Sequence, residues 1–203
     1  MFEETEMART RQFDENVALD KATTVFWTKG YERTSVQDLV DAMGVQRASL
    51  YSVFKDKKTL FRRVLGRYKE WMSQVLIESE SPLQGISTYF EELIKREGDP
   101  KSCKSCLIVR SALEAPFLGE EVEADVRDLM QTKEDFFFQC LTRAMEKKEI
   151  QDPEFDARGR ARALVGLSVG LNTLSQINPS RDFLVSIARQ GLKDIIPSFP
   201  KLH

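Results

Sequence analysis

Between Gly44 and Lys57 stand side chains whose types suit the reading of a polyanion: Gln46, Arg47 and Ala48, then Ser49, Tyr51 and Ser52, then Lys55 and Lys57. An arginine donates two parallel hydrogen bonds to guanine, a glutamine pairs with adenine, and an alanine methyl meets the thymine methyl. Tyr51, Lys55 and Lys57 suit phosphate oxygens, which fix register without reading sequence. The hydroxyls of Thr34 and Ser35, at the start of the preceding helix, are further phosphate candidates, because a helix N-terminus attracts anions. A second reactive set is Cys103-Lys-Ser-Cys106. Such a pair is either a redox couple or half of a zinc site. Zinc needs two more ligands, and only Cys140 and the terminal His203 remain, so no metal is expected. Structural thiols and a thiol-based redox sensor both stay open, with Lys104 placed to favour a thiolate. A single histidine, at the last position, leaves little for acid–base catalysis. Neither an enzyme nor a cofactor is expected.

These residues must be carried by helices. Val17, Ala18, Ala22, Val25 and Phe26 share one face of a helix from about Asp14 to Lys29, which Gly30 ends. Thr34-Ser-Val-Gln37 has the form of a capping box, with Thr34 as cap and Gln37 reaching back. Behind it Val36, Leu39, Val40 and Met43 repeat at helical spacing up to Gly44. A third helix fits Gln46 to Phe54, with Leu50, Val53 and Phe54 inward. Two short helices joined by a tight glycine turn are a helix-turn-helix in sequence form. With Leu50 inward, steps of about 100° per residue turn Ala48 and Ser52 outward, flanked by Ser49 and Tyr51. The same spacing also fits a small packing unit with solvated polar residues.

Further helices are predicted from about Lys57 to Glu78, after Ser81-Pro82, from Cys106 to Ala115, from Glu120 to Lys148, after Asp152-Pro153 and after Asn178-Pro179. Proline suits a first helical position, where its missing N–H is not needed. Pro116 and Gly119 are read as a break, and Pro197 and Pro200 as the end of the last helix. Strand-type alternation is absent. The prediction is an all-α chain: a three-helix head over residues 11–56 and a larger helical body over 57–203.

Composition agrees with a soluble globular protein: 203 residues, 41% hydrophobic and 31% charged. No apolar run is long enough for a bilayer, the N-terminus has no signal-peptide core, and three cysteines do not make a disulfide framework. A reduced cytoplasmic protein is expected. The net charge of −2 opposes nucleic-acid binding on its face, but its distribution does not. Residues 7–69 carry 13 Lys/Arg against 7 Asp/Glu, and residues 70–203 carry 17 against 22. A basic head on an acidic body suits a DNA-binding unit.

The run Phe26-Trp-Thr-Lys-Gly-Tyr31, then Thr34-Ser-Val, Met43-Gly-Val, Ser49-Leu-Tyr51, Phe54-Lys-Asp-Lys57 and Leu60-Phe61 closely resembles the DNA-binding domain of TetR-family regulators. It covers roughly residues 11–61. The resemblance implies a homodimeric transcriptional repressor or activator on operator DNA, with DNA contacts at Thr34, Ser35, Gln46, Arg47, Ala48, Ser49, Tyr51 and Lys55, and Lys57 following. Two departures are notable: Gln46 stands where Ser or Thr often caps, and Ser52 and Val53 replace larger aromatic or His residues.

For the body, the resemblance implies a small, largely apolar effector held between the helices at about Leu83–Glu97, Cys106–Ala115 and Glu120–Lys148. Its wall candidates are Trp71, Phe90, Phe117, Met130, Phe137 and Asn172, though large apolar residues are also ordinary core. Phe136-Phe-Phe138 cannot all share one narrow face. Gly166 and Gly170, four apart, let two helix backbones come close. The last two helices are wide in apolar arc and need cover; by resemblance a second copy supplies it, while the chain's own core is the alternative.

Overall fold

The computed structural model describes residues 13–75, 81–97 and 106–199. Among them the chain forms nine helices and no strand: α1 (Glu15–Lys29), α2 (Val36–Met43), α3 (Arg47–Phe54), α4 (Lys57–Val75), α5 (Pro82–Glu97), α6 (Leu107–Leu118), α7 (Glu120–Glu146), α8 (Ala157–Ser175) and α9 (Arg181–Ile195). None of them is long and apolar enough to cross a membrane.

Asp14 starts α1 by accepting from the N–H groups of Asn16 (2.9 Å) and Val17 (3.1 Å), and Gly30 ends it at φ +79°. Val17 does not join the inward face; it is 50% exposed, and Ala18, Leu19, Ala22 and Phe26 form the buried stripe. The cap of α2 lies one residue later than the sequence predicts. Ser35 accepts from the Asp38 N–H at 3.0 Å, and Asp38 accepts from the Ser35 N–H at 2.9 Å. Thr34 is buried, and its hydroxyl donates to the Gly30 carbonyl at 2.5 Å, so it is not free to cap. Gly44 adopts the left-handed conformation (φ 71°, ψ 33°) that turns α2 into α3.

Prolines mislead at three later points. Asp152-Pro153 forms a turn, with Asp152 accepting from the Glu154 N–H at 2.9 Å; α8 is capped instead by Asp156, which accepts from the Gly159 N–H at 2.9 Å. The turn lets Phe155 bury its ring before the helix begins. Helix α9 likewise starts after Ser180 rather than at Pro179. Pro116 lies inside α6, which continues to Leu118 and stops at Gly119 (φ +96°). A proline in a last turn removes only one late hydrogen bond, so the helix survives it.

Two hydrophobic clusters hold the described chain. The first joins α1–α3 to α4, α6 and the first half of α7, through Phe26, Leu39, Leu50, Phe54, Phe61, Leu65 and Val122. The second joins α5, the second half of α7, α8 and α9, through Phe90, Phe137, Leu164, Leu171, Leu184 and Leu192. Burying each such side chain is worth about 1.5–3 kcal/mol. The division of the core therefore does not fall at residue 56: α4 packs its Leu60, Phe61 and Val64 into the same cluster as the three helices before it.

Candidate nucleic-acid interface

Helix α3 is pinned from below and free above. Leu50 and Phe54 are fully buried; the Phe54 ring lies 6.3 Å from Phe13, and the Arg63 guanidinium sits 4.9 Å over it. Beneath α1 the rings of Phe26, Tyr31 and Phe61 pack at 4.9–6.1 Å. On the outer side Gln46, Arg47, Ala48, Ser52 and Lys55 are exposed, Tyr51 is 41% exposed, and Ser49 is half-buried. Val53 is also exposed rather than inward. The side chains of Gln46, Arg47, Tyr51 and Lys55 enter no hydrogen bond or ion pair among the described residues. Gln46 stands at the N-cap of α3 and makes no side-chain cap bond, so the first N–H groups of this helix point outward without a protein acceptor from it.

Three of the sequence-predicted phosphate contacts are engaged inside the protein. Thr34 is buried, with its hydroxyl on Gly30. The Ser35 hydroxyl donates to Asp38 Oδ2 at 2.8 Å, and the Lys29 ammonium reaches the same carboxylate at 2.6 Å. The bond from Lys29, with those from Ser35, lowers the Asp38 carboxyl to about 2. Lys57 donates from Nζ to the carbonyls of Tyr31 (2.9 Å) and Thr34 (2.8 Å), and lies 4.0 Å over the Tyr31 ring. It ties the α1–α2 corner to the start of α4, a role that neither residue type nor local spacing displays.

Helix α6 grips the same corner from the other side. Glu114 accepts from the Tyr31 N–H at 2.7 Å, and Arg110 donates to the Thr28 carbonyl at 2.7 Å. A Cβ at Gly30 would lie 2.8 Å from Glu114 Oε1, a side-chain end that can move aside, so it is the φ of +79° that favours glycine there. Lateral ion pairs of Arg62 with Asp125 (2.6 Å) and of Lys69 with Asp128 (2.5 Å) join α4 to α7.

The six predicted wall residues stand in different surroundings among the described residues. Trp71 is 43% exposed on an open cleft of about 480 Å³ between α1 and α4, with Trp27, Tyr68, Asp20 and Arg67. Met130 packs against the first cluster. Phe90 and Phe137 stack in the second cluster at 5.9 Å and are fully buried. Phe117 is 85% exposed, because it follows Pro116 on the outer side of the last turn of α6. Asn172 is buried; its Nδ2 donates to the Ser168 carbonyl at 2.7 Å, and its Oδ1 has no hydrogen-bond partner among the described residues. Of the three consecutive phenylalanines only Phe137 is fully buried, while Arg158 lies 3.7 Å over the Phe138 ring.

Cys103 and Lys104 lie outside the described residues. Cys106 is buried at the N-cap of α6, with Sγ 3.6 Å from the Tyr68 hydroxyl. Sequence reasoning also missed a buried cation on α7: Lys133, 2% exposed, with Nζ 3.5 Å from Ser168 Oγ. The signal was present. Val122, Val126, Leu129, Lys133, Phe137 and Leu141 form one buried helical stripe, and a lysine stands in its middle.

Residues 18–64 match the family described as bacterial regulatory proteins, tetR family. The chain is 31% identical over 186 residues to the uncharacterized HTH-type transcriptional regulator YezE of Bacillus subtilis (strain 168), covering 88% of this chain and 94% of the relative. It is 27% identical to the HTH-type transcriptional repressor ComR of Escherichia coli (strain K12), over 91% of this chain and 90% of that one. Among solved structures, a cysteine mutant of the TetR family regulator CifR, complexed with 26-base-pair operator DNA, superposes with a TM-score of 0.79 at 26% identity, covering 91% of this chain and 98% of that one. With the helix-turn-helix in place on α2 and α3 and a relative this similar along almost its whole length, the chain belongs to the TetR family of bacterial transcriptional regulators.

Proposed function

We propose that the protein is a homodimeric repressor, that the exposed side of α3 reads its operator, and that a small effector acting on the body releases it. The observation that carries this reading is the outward row on α3. Gln46, Arg47 and Ala48 occupy the first turn, where a recognition helix meets base edges, and Tyr51, Ser52 and Lys55 follow, none buried. Arg47 and Gln46 read bases and Ala48 approaches the groove floor, while Tyr51 and Lys55 hold phosphates, with Ser49 and Ser52 beside them. Ser35 stands exposed at the start of α2, where a helix N-terminus faces a phosphate, although its own N–H and hydroxyl are held by Asp38. Residues 11–56 act as the DNA head and residues 57–203 as the effector and dimer body, and no residue has a catalytic role.

Dimerisation through α8 and α9 is supported by their outer faces. A Cβ at Gly166 or Gly170 would meet nothing within 4 Å, whereas one at Gly191 would meet Leu167 at 2.8 Å. Gly191 thus serves α8–α9 packing within the chain, and the other two leave room for a second backbone. One head reads one half-site, so a two-fold operator needs two. ComR is named a repressor and CifR was solved on operator DNA, which favours repression over activation here.

The test is Arg47→Ala combined with Tyr51→Phe, measured against DNA from upstream of the protein's own gene. A lost bidentate arginine contact costs about 1–3 kcal/mol, so affinity should fall by roughly ten-fold or more while sedimentation still reports a dimer. Undiminished binding by the double variant would remove α3 as the reading helix.

A further inference from the structure

Two polar groups lie buried on the seam between α7 and α8. Lys133 interrupts the apolar stripe of α7 between Leu129 and Phe137 and is 2% exposed. Its Nζ is 3.5 Å from Ser168 Oγ, beyond the usual length of an N–H···O bond, and 5.8 Å from the centre of the Tyr89 ring on α5. The Ser168 hydroxyl donates its own proton to the Val165 carbonyl at 2.8 Å, so it meets the ammonium only as an acceptor. One turn along α8, Asn172 is buried with Nδ2 on the Ser168 carbonyl and with no partner for Oδ1 among the described residues.

An ammonium carries three donors and is costly to enclose unless an anion compensates it. The two carboxylates that follow Lys133 on α7 are taken elsewhere: Glu134 pairs with Arg158 and Arg162, and Asp135 with Arg158. No carboxylate among the described residues pairs with Lys133; the side chains that act on it are Cys106 and Tyr89, both weak acids, and Arg96, a second cation. The chain therefore encloses a positive charge and, beside it, a bare acceptor, on facing helices.

We propose that this seam is the effector site of the body and that it takes a hydroxylated organic monocarboxylate, with the carboxylate on Lys133 and the hydroxyl donating to Asn172 Oδ1; this rests on the reading that an effector in the body releases the operator. The donor set defines the class. Lys133 supplies charge and N–H donors, whereas Asn172 Oδ1 only accepts, so a second carboxylate at that end would face a carbonyl oxygen. Ser168 and Asn172 stand four residues apart, roughly 6 Å along the helix, which sets the spacing of the two polar ends. The apolar frame of the ligand is matched by rings: Tyr89, beside Lys133, packs on Phe90 at 5.2 Å and on Phe137 at 5.1 Å. A largely apolar effector is thus narrowed to one with an anionic end. Lys133 also stands where α7 passes from the cluster that contains the head, at Leu129, to the cluster of α8 and α9, at Phe137. Neutralising it acts at the junction of the two.

The experiment measures binding to the full-length protein without DNA, by calorimetry, for 3-hydroxybenzoate, benzoate and 3-hydroxybenzamide, with 3-hydroxybutanoate and its amide as a smaller pair. In the wild type each hydroxy acid should bind at least about ten-fold more tightly than its amide, and 3-hydroxybenzoate about ten-fold more tightly than benzoate. Lys133→Met should erase the preference for acid over amide. Its ligand-free melting temperature should equal or exceed that of the wild type, because an enclosed charge lacking its anion has been removed. Asn172→Leu should erase only the preference for 3-hydroxybenzoate over benzoate. Saturating 3-hydroxybenzoate should weaken wild-type binding to the upstream DNA by about ten-fold or more and leave Lys133→Met unaffected. Acids and amides bound equally by the wild type, or neither bound, would overturn the proposal. So would a ligand-free Lys133→Met that melts well below the wild type, the behaviour of a lysine that only holds the fold. An acid that binds through Lys133 and leaves DNA affinity unchanged would overturn the effector role. Calorimetry is read without DNA, so a protein that binds the acids but no DNA counts against the regulator reading alone.

Discussion

Lys57 and Arg47 are both cations of the head, yet one is turned inward and the other is free. The Lys57 ammonium bonds two carbonyls at the α1–α2 corner, and Arg47 meets no partner among the described residues. Residue type made both readable as DNA contacts; only tertiary placement separates them, since Tyr31 and Thr34 stand more than twenty residues from Lys57. Lys57→Met should therefore cost about 1.5–3 kcal/mol of stability, the worth of a charged hydrogen bond, measurable by urea denaturation. The salt dependence of DNA binding should keep its slope, whereas loss of a phosphate contact would lower that slope by about one. The hydroxyls of Thr34 and Ser35 are engaged for a related reason. Side chains beside a helix start have local groups to bond, and here they use them. Lys133, by contrast, left a signal that went unread, since it interrupts an otherwise apolar stripe of α7.

Helices were the readable part of this chain, and their ends were less so. The 3.6-residue periodicity and the glycines at 30, 44 and 119 marked α1, α2 and the α6–α7 break, because glycine takes the positive φ that ends them. Proline was a poorer guide. It permits a helix start without requiring one, so Pro153 and Pro179 precede the first residues of α8 and α9. Helix α6 ties the body to the head, since its Arg110 and Glu114 hold the Thr28 carbonyl and the Tyr31 N–H. Glu114→Gln should weaken that hold. The Tyr31 amide should exchange with solvent faster by hydrogen–deuterium exchange, and head stability should fall by about 1–3 kcal/mol. An unchanged Tyr31 amide would remove α6 as the connection.

At the scale of the molecule, α7 is the common member of both hydrophobic clusters, with Val122, Val126 and Leu129 in one and Phe137, Leu141 and Ala144 in the other. A head built into the same core as α4, α6 and half of α7 is not a bead on a linker, so a change in that part of the body has a packed route to α3. The hydrophobic clusters do not divide at residue 56, because Leu60, Phe61 and Val64 of α4 pack with α1–α3. A second copy across α8 and α9 would set two such heads at a fixed separation, the geometry that a two-fold operator requires. The most direct measurement is the affinity of wild type and Arg47→Ala for operator DNA carrying every single-base substitution. Wild type should lose about 1–3 kcal/mol at a guanine placed symmetrically in both half-sites, and Arg47→Ala should bind all bases there equally. An Arg47→Ala profile with the wild-type preferences intact would contradict it.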